Sequence, residues 1–449
     1  MMKRTVSILL CLVLLSCLLP GCGARKPMQI WVSSSIGDIG KYGAQMHQYN
    51  HEGFQYELTL FADESMASDN MGQTQALQSQ LMAGAGPDVI LFTDYDFGEI
   101  RKLSTGGSFL DVSGYIENSE NIKMEDFAEG ILRAGYTDDA CYYLPLGYSI
   151  VNLTTTQWVL DEMGWEMAFS TDKLMDQAIE FGIDSHGFNS LFSPMAGPES
   201  DSVFELLFRA SGLELVDQET GEVLPDEEGL RHFLEGYRSI IDTQWKQWQQ
   251  GQGTAAFSSL EYWGDQFAEH RFAYYCFFML VRSLDPYMQI AGEQDSYLTV
   301  LGDMHGGVAG HVNGYVAINS STTKPEEAWA FVETLLGEDV QSHILADYGA
   351  FMDMPVRKGL IEAWIEEYSQ EHAGERIEDN TGASHLLSGI DNETIARYVE
   401  CAESAEVRYN SPTVFHLLLE KMLPYLDGAS DYETCLADLR TTLEIYAAE

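Results

Sequence analysis

The chain has 449 residues, of which 70 are Asp or Glu and 24 are Lys or Arg, giving a formal charge of −46. That length accommodates two to three domains, and 45% apolar with 12% aromatic residues excludes a disordered acidic chain, which would be aromatic-poor. No basic run offsets the acid, so DNA, RNA and anionic headgroups are repelled by many charges at once and nucleic-acid binding is largely excluded.

Lys3 and Arg4 open the chain, and residues 5–19 are apolar but too short for a bilayer span of about 20 residues. The segment reads as an export signal. It ends in Leu19-Pro20-Gly21-Cys22, which resembles the lipobox of bacterial lipoproteins, whose Cys is acylated and becomes the mature N-terminus. Leu14-Leu15-Ser16-Cys17 fits the same pattern and stands as the competing site. Residues 1–21 are therefore expected to be a signal peptide and 22–26 a tether, lipidated at Cys22, on the outer face of the bacterial cell membrane. The later thiols, Cys141, Cys276, Cys401 and Cys435, are far apart in apolar surroundings, so no disulfide framework is expected.

From residue 27 onward strands and helices alternate. Residues 29–32 and 56–61 read as short strands around a helical stretch, 74–83 as a helix broken by Gly84-Ala85-Gly86-Pro87, and 88–92 as an apolar strand. This order predicts an α/β fold with a largely parallel sheet. Residues 142–153 are extended and apolar, ahead of a helix over 157–163 with Thr155 or Thr156 as N-cap and Gly164 just past its end. Asp217 to Glu222 signals a hairpin, 226–241 a helix, and 272–280 and 314–318 strands. Thr323 to Glu326 has capping-box spacing and opens a helix through Leu336. Beyond it the chain reads as helices only, the last opened by a second box over Ser430 to Glu433. No low-complexity linker separates domains, so any two lobes are joined by strands or short hinges.

Several of these segments, in this order, resemble an extracellular solute-binding protein, family 1, of an ABC importer, in the type II class of maltose- and oligosaccharide-binding proteins. The residues that carry the resemblance are the lipobox, Leu81-Met82-Ala83-Gly84-Ala85-Gly86-Pro87-Asp88-Val89-Ile90, Leu144-Pro145-Leu146, Met163-Gly164-Trp165, and Gly314 to Ile318 with Lys324-Pro325-Glu326-Glu327-Ala328-Trp329. Gly349-Ala350-Phe351 to Pro355-Val356-Arg357-Lys358 resembles the family's late turn, whereas His270-Arg271-Phe272 departs from its usual Gly-Lys-Ala-Met-type strand entry. The resemblance implies a two-lobed periplasmic-binding-protein-like II fold, each lobe a mostly parallel sheet flanked by helices, with the ligand cleft between lobes. By analogy lobe 1 is 27–147 plus 314–347 and lobe 2 is 150–310 plus 350–449, with hinges near Ser149, Asn313 and Gly349. It also implies a non-catalytic, monomeric receptor without cofactors that captures a sugar or oligosaccharide by hinge closure. The partners it implies are two permease subunits and a cytoplasmic ATPase.

Open α/β sheets bind ligands beyond the carboxyl ends of their strands. That rule nominates Ser34, Ser35, Asp94, Tyr95, Tyr148, Ser149 and Met279, the family's late turn adds Phe351 and Met352, and Trp263 is a candidate stacking platform. Hydroxyls and carboxylates exchange hydrogen bonds with sugar OH groups while aromatic faces cover the rings. His305 and His311 flank a Gly-rich turn but match no metal spacing, so no metal is expected. Other functions stay open. The same fold could take a polyamine or peptide, steered by the acidic surface. A secreted hydrolase would need catalytic groups for which no Gly-x-Ser-x-Gly, His-Glu-x-x-His or phosphate loop is present. A surface sensor or adhesin without a transporter would share every feature above.

Overall fold

The structure, a computed structural model, describes residues 26–62, 67–97, 100–183, 190–192, 201–217, 220–249, 272–277, 296–346, 354–378, 384–386, 392–408 and 411–448. The first three strands are β1 (Met28–Ser33), β2 (Tyr56–Phe61) and β3 (Val89–Phe92), with α1 (Gly37–Asn50) and α2 (Ala67–Met82) between them. β1 pairs in parallel with both β2 and β3. All four residues of β3 are buried, so the strand reads as a continuous apolar run rather than an alternating one.

The loop before β3 is held by a single buried side chain. Asn319 donates through Nδ2 to the carbonyls of Ala85 (2.9 Å) and Pro87 (2.8 Å), and its Oδ1 accepts from Ser321 N and Oγ. Asp88 accepts from Gln29 N (2.9 Å) and Thr322 Oγ1 (2.6 Å). The Ala-Gly-Pro-Asp segment is thus a structural clamp between the strand entry and the far end of the chain's return strand.

β4 (Leu144–Ile150) is followed, after Val151 alone, by β5 (Asn152–Thr156), which enters a different sheet. Thr156 caps α3 (Gln157–Met163) by accepting from Val159 N, and Gly164, at φ 67°, ends it in the left-handed conformation that glycine tolerates. Next come α4 (Thr171–Ile183), β6 (Ser190–Phe192), α5 (Asp201–Ser211), α6 (Glu227–Gln249), β7 (Phe272–Phe277) and β8 (Ser296–Val300). β9 (Ala309–Ile318) then returns to the first sheet, followed by α7 (Pro325–Leu335), α8 (Glu338–Ala346), β10 (Met354–Pro355), α9 (Leu360–His372), α10 (Asn392–Glu403), β11 (Glu406–Val407), α11 (Pro412–Leu426) and α12 (Tyr432–Ala448). The first sheet runs β10-β4-β9-β3-β1-β2 with β11 on β9; the second runs β8-β5-β7-β6.

The fold is α/β as expected, but both sheets are mixed rather than mostly parallel. β9 is antiparallel to β3 and β4, and in the second sheet only β6 and β7 run in parallel. The physical reason is connectivity: β9 arrives from the other sheet, so it is not tied to the direction set by the helical crossovers of β1 to β3.

Two apolar clusters form the core. One gathers residues of 28–150, 312–365 and 395–405, together with Val300. The other gathers 151–240 with Tyr274 and Leu301, and 414–443. Residues of 354–365 and 395–405 therefore pack with the first cluster, whereas the expected division groups them with lobe 2. Gln341 shows why: buried in α8, it donates to the carbonyls of Leu146 and Leu335 and accepts from Val356 N, which draws the chain back to the edge of β4. Val407 packs with the first cluster and Val414 with the second, so the chain changes cluster a third time between these two residues. The expected hinge at Gly349 falls outside the described residues, and the chain on both sides of it packs in the same cluster.

Three local expectations are corrected. Short strands occur after residue 350, including β11 paired parallel on β9. Lys324, not Thr323, is the N-cap of α7, without a side-chain cap bond; Thr322 accepts from its amide instead. Asp431 rather than Ser430 accepts the amide of Thr434 at the start of α12. The hairpin signal is realised, with Val216 bridging Val223 and Asp217 N donating to Glu222 O.

Candidate functional site

Strand direction brings the candidates to one edge. β1 and β3 run in parallel, β9 is antiparallel to β3 and β4 to β9, so β1, β3 and β4 all end on the side where β9 begins. Ser34 and Ser35 follow β1, Asp94 and Tyr95 follow β3, Ser149 lies near the end of β4, and His311 and Asn313 lie near the start of β9. The second apolar cluster contributes α5, which packs against β9 and presents Glu205 and Arg209 one helical turn apart to this edge.

The centre of the site is an ion network in which Asp94 is buried, Arg209 and Glu205 are half-buried and Tyr95 is exposed. Arg209, 17% exposed, bonds to Glu205 Oε1 at 2.6 Å, donates to Tyr95 Oη at 3.2 Å, and has Asp94 Oδ2 at 3.6 Å. Tyr95 donates its hydroxyl to Glu205 Oε1 at 2.5 Å. Arg209 Nη1 also meets His311 Nδ1; guanidinium has only donors, so that nitrogen must accept. Side chains from the ends of β3 and β9 in the first sheet and from α5 of the second cluster thus meet at one point.

Burial governs the charges here. It pushes the Asp94 carboxyl up to about 6; Arg209 pulls it back, while Glu205 and Asp96 add to the rise. Asp94 Oδ1 is buried and finds no hydrogen-bond partner among the described residues, which leaves one strong acceptor or, when protonated, a donor unused. Burial also raises Asp96, although Thr93 N and Oγ1 donate to it. Burial and then Arg209 hold His311 well below its ordinary value, so it stays neutral. For Arg209 burial opposes the charge, but Asp94, Tyr95 and Glu205 outweigh it and the group stays ionised.

The other candidates fall as follows. Ser34 donates to Phe61 O at 3.0 Å, and Ser35 beside it is half-buried. Ser149 donates to Asn313 Oδ1 at 3.3 Å, joining two positions expected at hinges. Tyr148 is fully buried and donates to Ala402 O at 2.8 Å, so its ring belongs to the core beneath α10 and not to the site edge. Trp263, Met279, Phe351, Met352 and Cys22 lie outside the described residues. His305 sits in a turn closed by Asp303, whose Oδ1 accepts from the amides of His305 and Gly307. Among the described residues no group of three or more side chains is placed to hold a metal ion, and Cys141, Cys401 and Cys435 are free thiols.

Sequence reasoning misses Glu205 and Arg209, and it weighs His311 only as a metal ligand. A signal exists for the pair: an i,i+4 acid–base couple on a helix with an apolar face of Phe204, Leu207 and Phe208, in a chain poor in basic residues.

Two mixed α/β layers joined by crossing strands, with polar side chains at the strand ends between them, are the architecture of a solute-binding protein. The description "Bacterial extracellular solute-binding protein" matches residues 64–342, and the chain belongs to that family. Among solved structures it is similar to the sugar-binding protein MalE of Xanthomonas citri (14% identity, TM-score 0.63, covering 94% of this chain and 98% of that one). It is also similar to the cyclic alpha-maltosyl-1,6-maltose binding protein of Arthrobacter globiformis (13%, 0.58, 94% and 99%) and to the GacH receptor of Streptomyces glaucescens (13%, 0.56, 95% and 100%). No curated protein sequence matches the chain. No helix among the described residues is long and apolar enough to cross a membrane.

Proposed function

We propose that this chain is the lipid-anchored receptor of an ABC importer, capturing a sugar or oligosaccharide between two lobes by hinge closure and delivering it to the permease without chemical change. Membership of the solute-binding family supports the receptor role, and the sugar-binding proteins among its structural relatives support the cargo class. The observation that carries the reading is the meeting of Asp94 and Tyr95 with Glu205 and Arg209 across the two clusters. A solute at that edge touches both clusters at once, which is what differential affinity for a closed state requires.

In this reading Ser34, Ser35, Asp94, Tyr95 and Ser149 exchange hydrogen bonds with sugar hydroxyls. Trp263, Phe351, Met279 and Met352 remain proposed contacts from the second lobe and the late turn. The lobes divide at the three crossings, near Val151, within 301–308 and between Val407 and Val414. Cys22, or alternatively Cys17, carries the acyl anchor, and the body works as a monomer on the outer membrane face.

A thermal-shift series with residues 23–449 tests this. A sugar at 100 times its Kd should stabilise the protein by about 2.7 kcal/mol and raise the melting temperature, with the sugar recovered intact. No shift with any mono- or oligosaccharide, alongside a shift with a polyamine or short peptide, would sink the cargo assignment and leave the fold reading in place.

A further inference from the structure

An edge lined with carboxylates in a chain of charge −46 is the environment in which a cationic solute would be expected. The guanidinium of Arg209 stands in its place. Four acceptors from three parts of the chain surround it: Asp94 Oδ2, Tyr95 Oη, Glu205 Oε1 and His311 Nδ1. Its Cζ also lies 6.0 Å from the centroid of the Tyr95 ring, on the border of a cation–π contact. Two carboxylates, a phenol oxygen and a neutral imidazole nitrogen are the set that would receive the N–H donors of an alkylammonium group.

We infer that Arg209 is a built-in counter-cation that fills this cation subsite and so fixes the site's selectivity for uncharged solutes. The inference rests on reading the edge between the clusters as the solute site. A free amine would have to displace a guanidinium that is tethered to α5 and therefore always present at high local concentration. Anionic solutes meet Asp94 and Glu205, whose acidic groups outnumber the one guanidinium. A neutral polyol is attracted by either sign through its hydroxyl dipoles and needs no charge to be removed. Arg suits the role better than Lys because its planar fork serves several acceptors together and stays charged when buried.

The test is calorimetric titration of spermidine into residues 23–449 in about 0.3 M NaCl, a salt level that screens attraction to the general acidic surface. The wild type and Arg209→Lys should show no one-to-one binding. Arg209→Ala should acquire it, and Asp94→Asn added to Arg209→Ala should weaken it at least tenfold. If Arg209→Ala does not fold, Arg209→Gln, which keeps donors for the buried acceptors without the charge, takes its place. One-to-one spermidine binding by the wild type overturns the inference, as does a folded Arg209→Ala or Arg209→Gln that binds none. Spermidine gained by the variant while no sugar shifts the wild type would uphold the inference and defeat the sugar assignment, so the two failures are told apart.

Discussion

The amide of Leu301 donates to the carbonyl of Val151 at 2.8 Å, so the point where the chain leaves the first sheet is bonded to the point where it starts back. Beside this pin, Ser149 Oγ meets Asn313 Oδ1, and the pairing of β4 with β9 is irregular between Val312 and Tyr315. Two adjacent strands with a local break in register are a place where relative rotation of the clusters costs few hydrogen bonds. The Leu301 amide should therefore exchange slowly, and a sugar that raises the melting temperature should slow it only as much as it slows the sheet-centre amides of Ile90 and Leu91, by the global stabilisation. A change at Leu301 well beyond that shared slowing would place the bending elsewhere.

Tyr148 anchors α10 from below and is predicted to matter for stability, not for solute. Tyr148→Phe removes one of the two donors to the Ala402 carbonyl and leaves the Ala405 amide at 3.3 Å, which costs about 0.5–1.5 kcal/mol in denaturant unfolding. Sugar affinity should change by less than about twofold, which titration of the folded variant checks.

Asp94 links stability to pH. Its carboxyl is raised from 3.8 to about 6 in the folded chain, so the folded state holds the proton more tightly than the unfolded one. Stability from this group is present at low pH and is lost as pH rises from about 4 to about 6, then stays level. The loss amounts to roughly 3 kcal/mol, and Asp94→Asn removes it. Urea unfolding of both proteins at pH 4, 5, 6 and 7 should show the wild type losing stability relative to the variant through that window. Parallel curves would show that Asp94 is not held in this buried setting.

Gln341 is the residue that returns the chain to the first sheet. Gln341→Ala leaves two carbonyls and the Val356 amide unpaired in the interior, an expected cost of at least about 3 kcal/mol. Hydrogen exchange at Val356 should accelerate, while exchange at Ile90 and Leu91 in the sheet centre follows only the global loss.

Much of this protein was legible in the sequence because it is encoded locally. The apolar run of β3, the Gly-Pro-Asp entry before it, the Thr156 cap and the Gly164 stop depend on residues within a few positions of one another. The strand-end rule placed Asp94 and Tyr95 at the same edge as Ser34 and Ser35 because parallel strands joined by helices end together. The order of these segments carried the family resemblance.

Other features were decided only by tertiary structure. Tyr148 and Ser149 are neighbours in an extended strand, yet alternation sends Tyr148 into the core while Ser149 meets Asn313. The direction of β9 and the packing of 354–365 and 395–405 follow from where the chain re-enters the first sheet, which no window of sequence records. Arg209 reaches Tyr95 and His311 across more than 100 residues in each direction. Such a contact is fixed by how two sheets are joined and by the electrostatic need of buried charges for partners, and residue spacing along the chain contains neither.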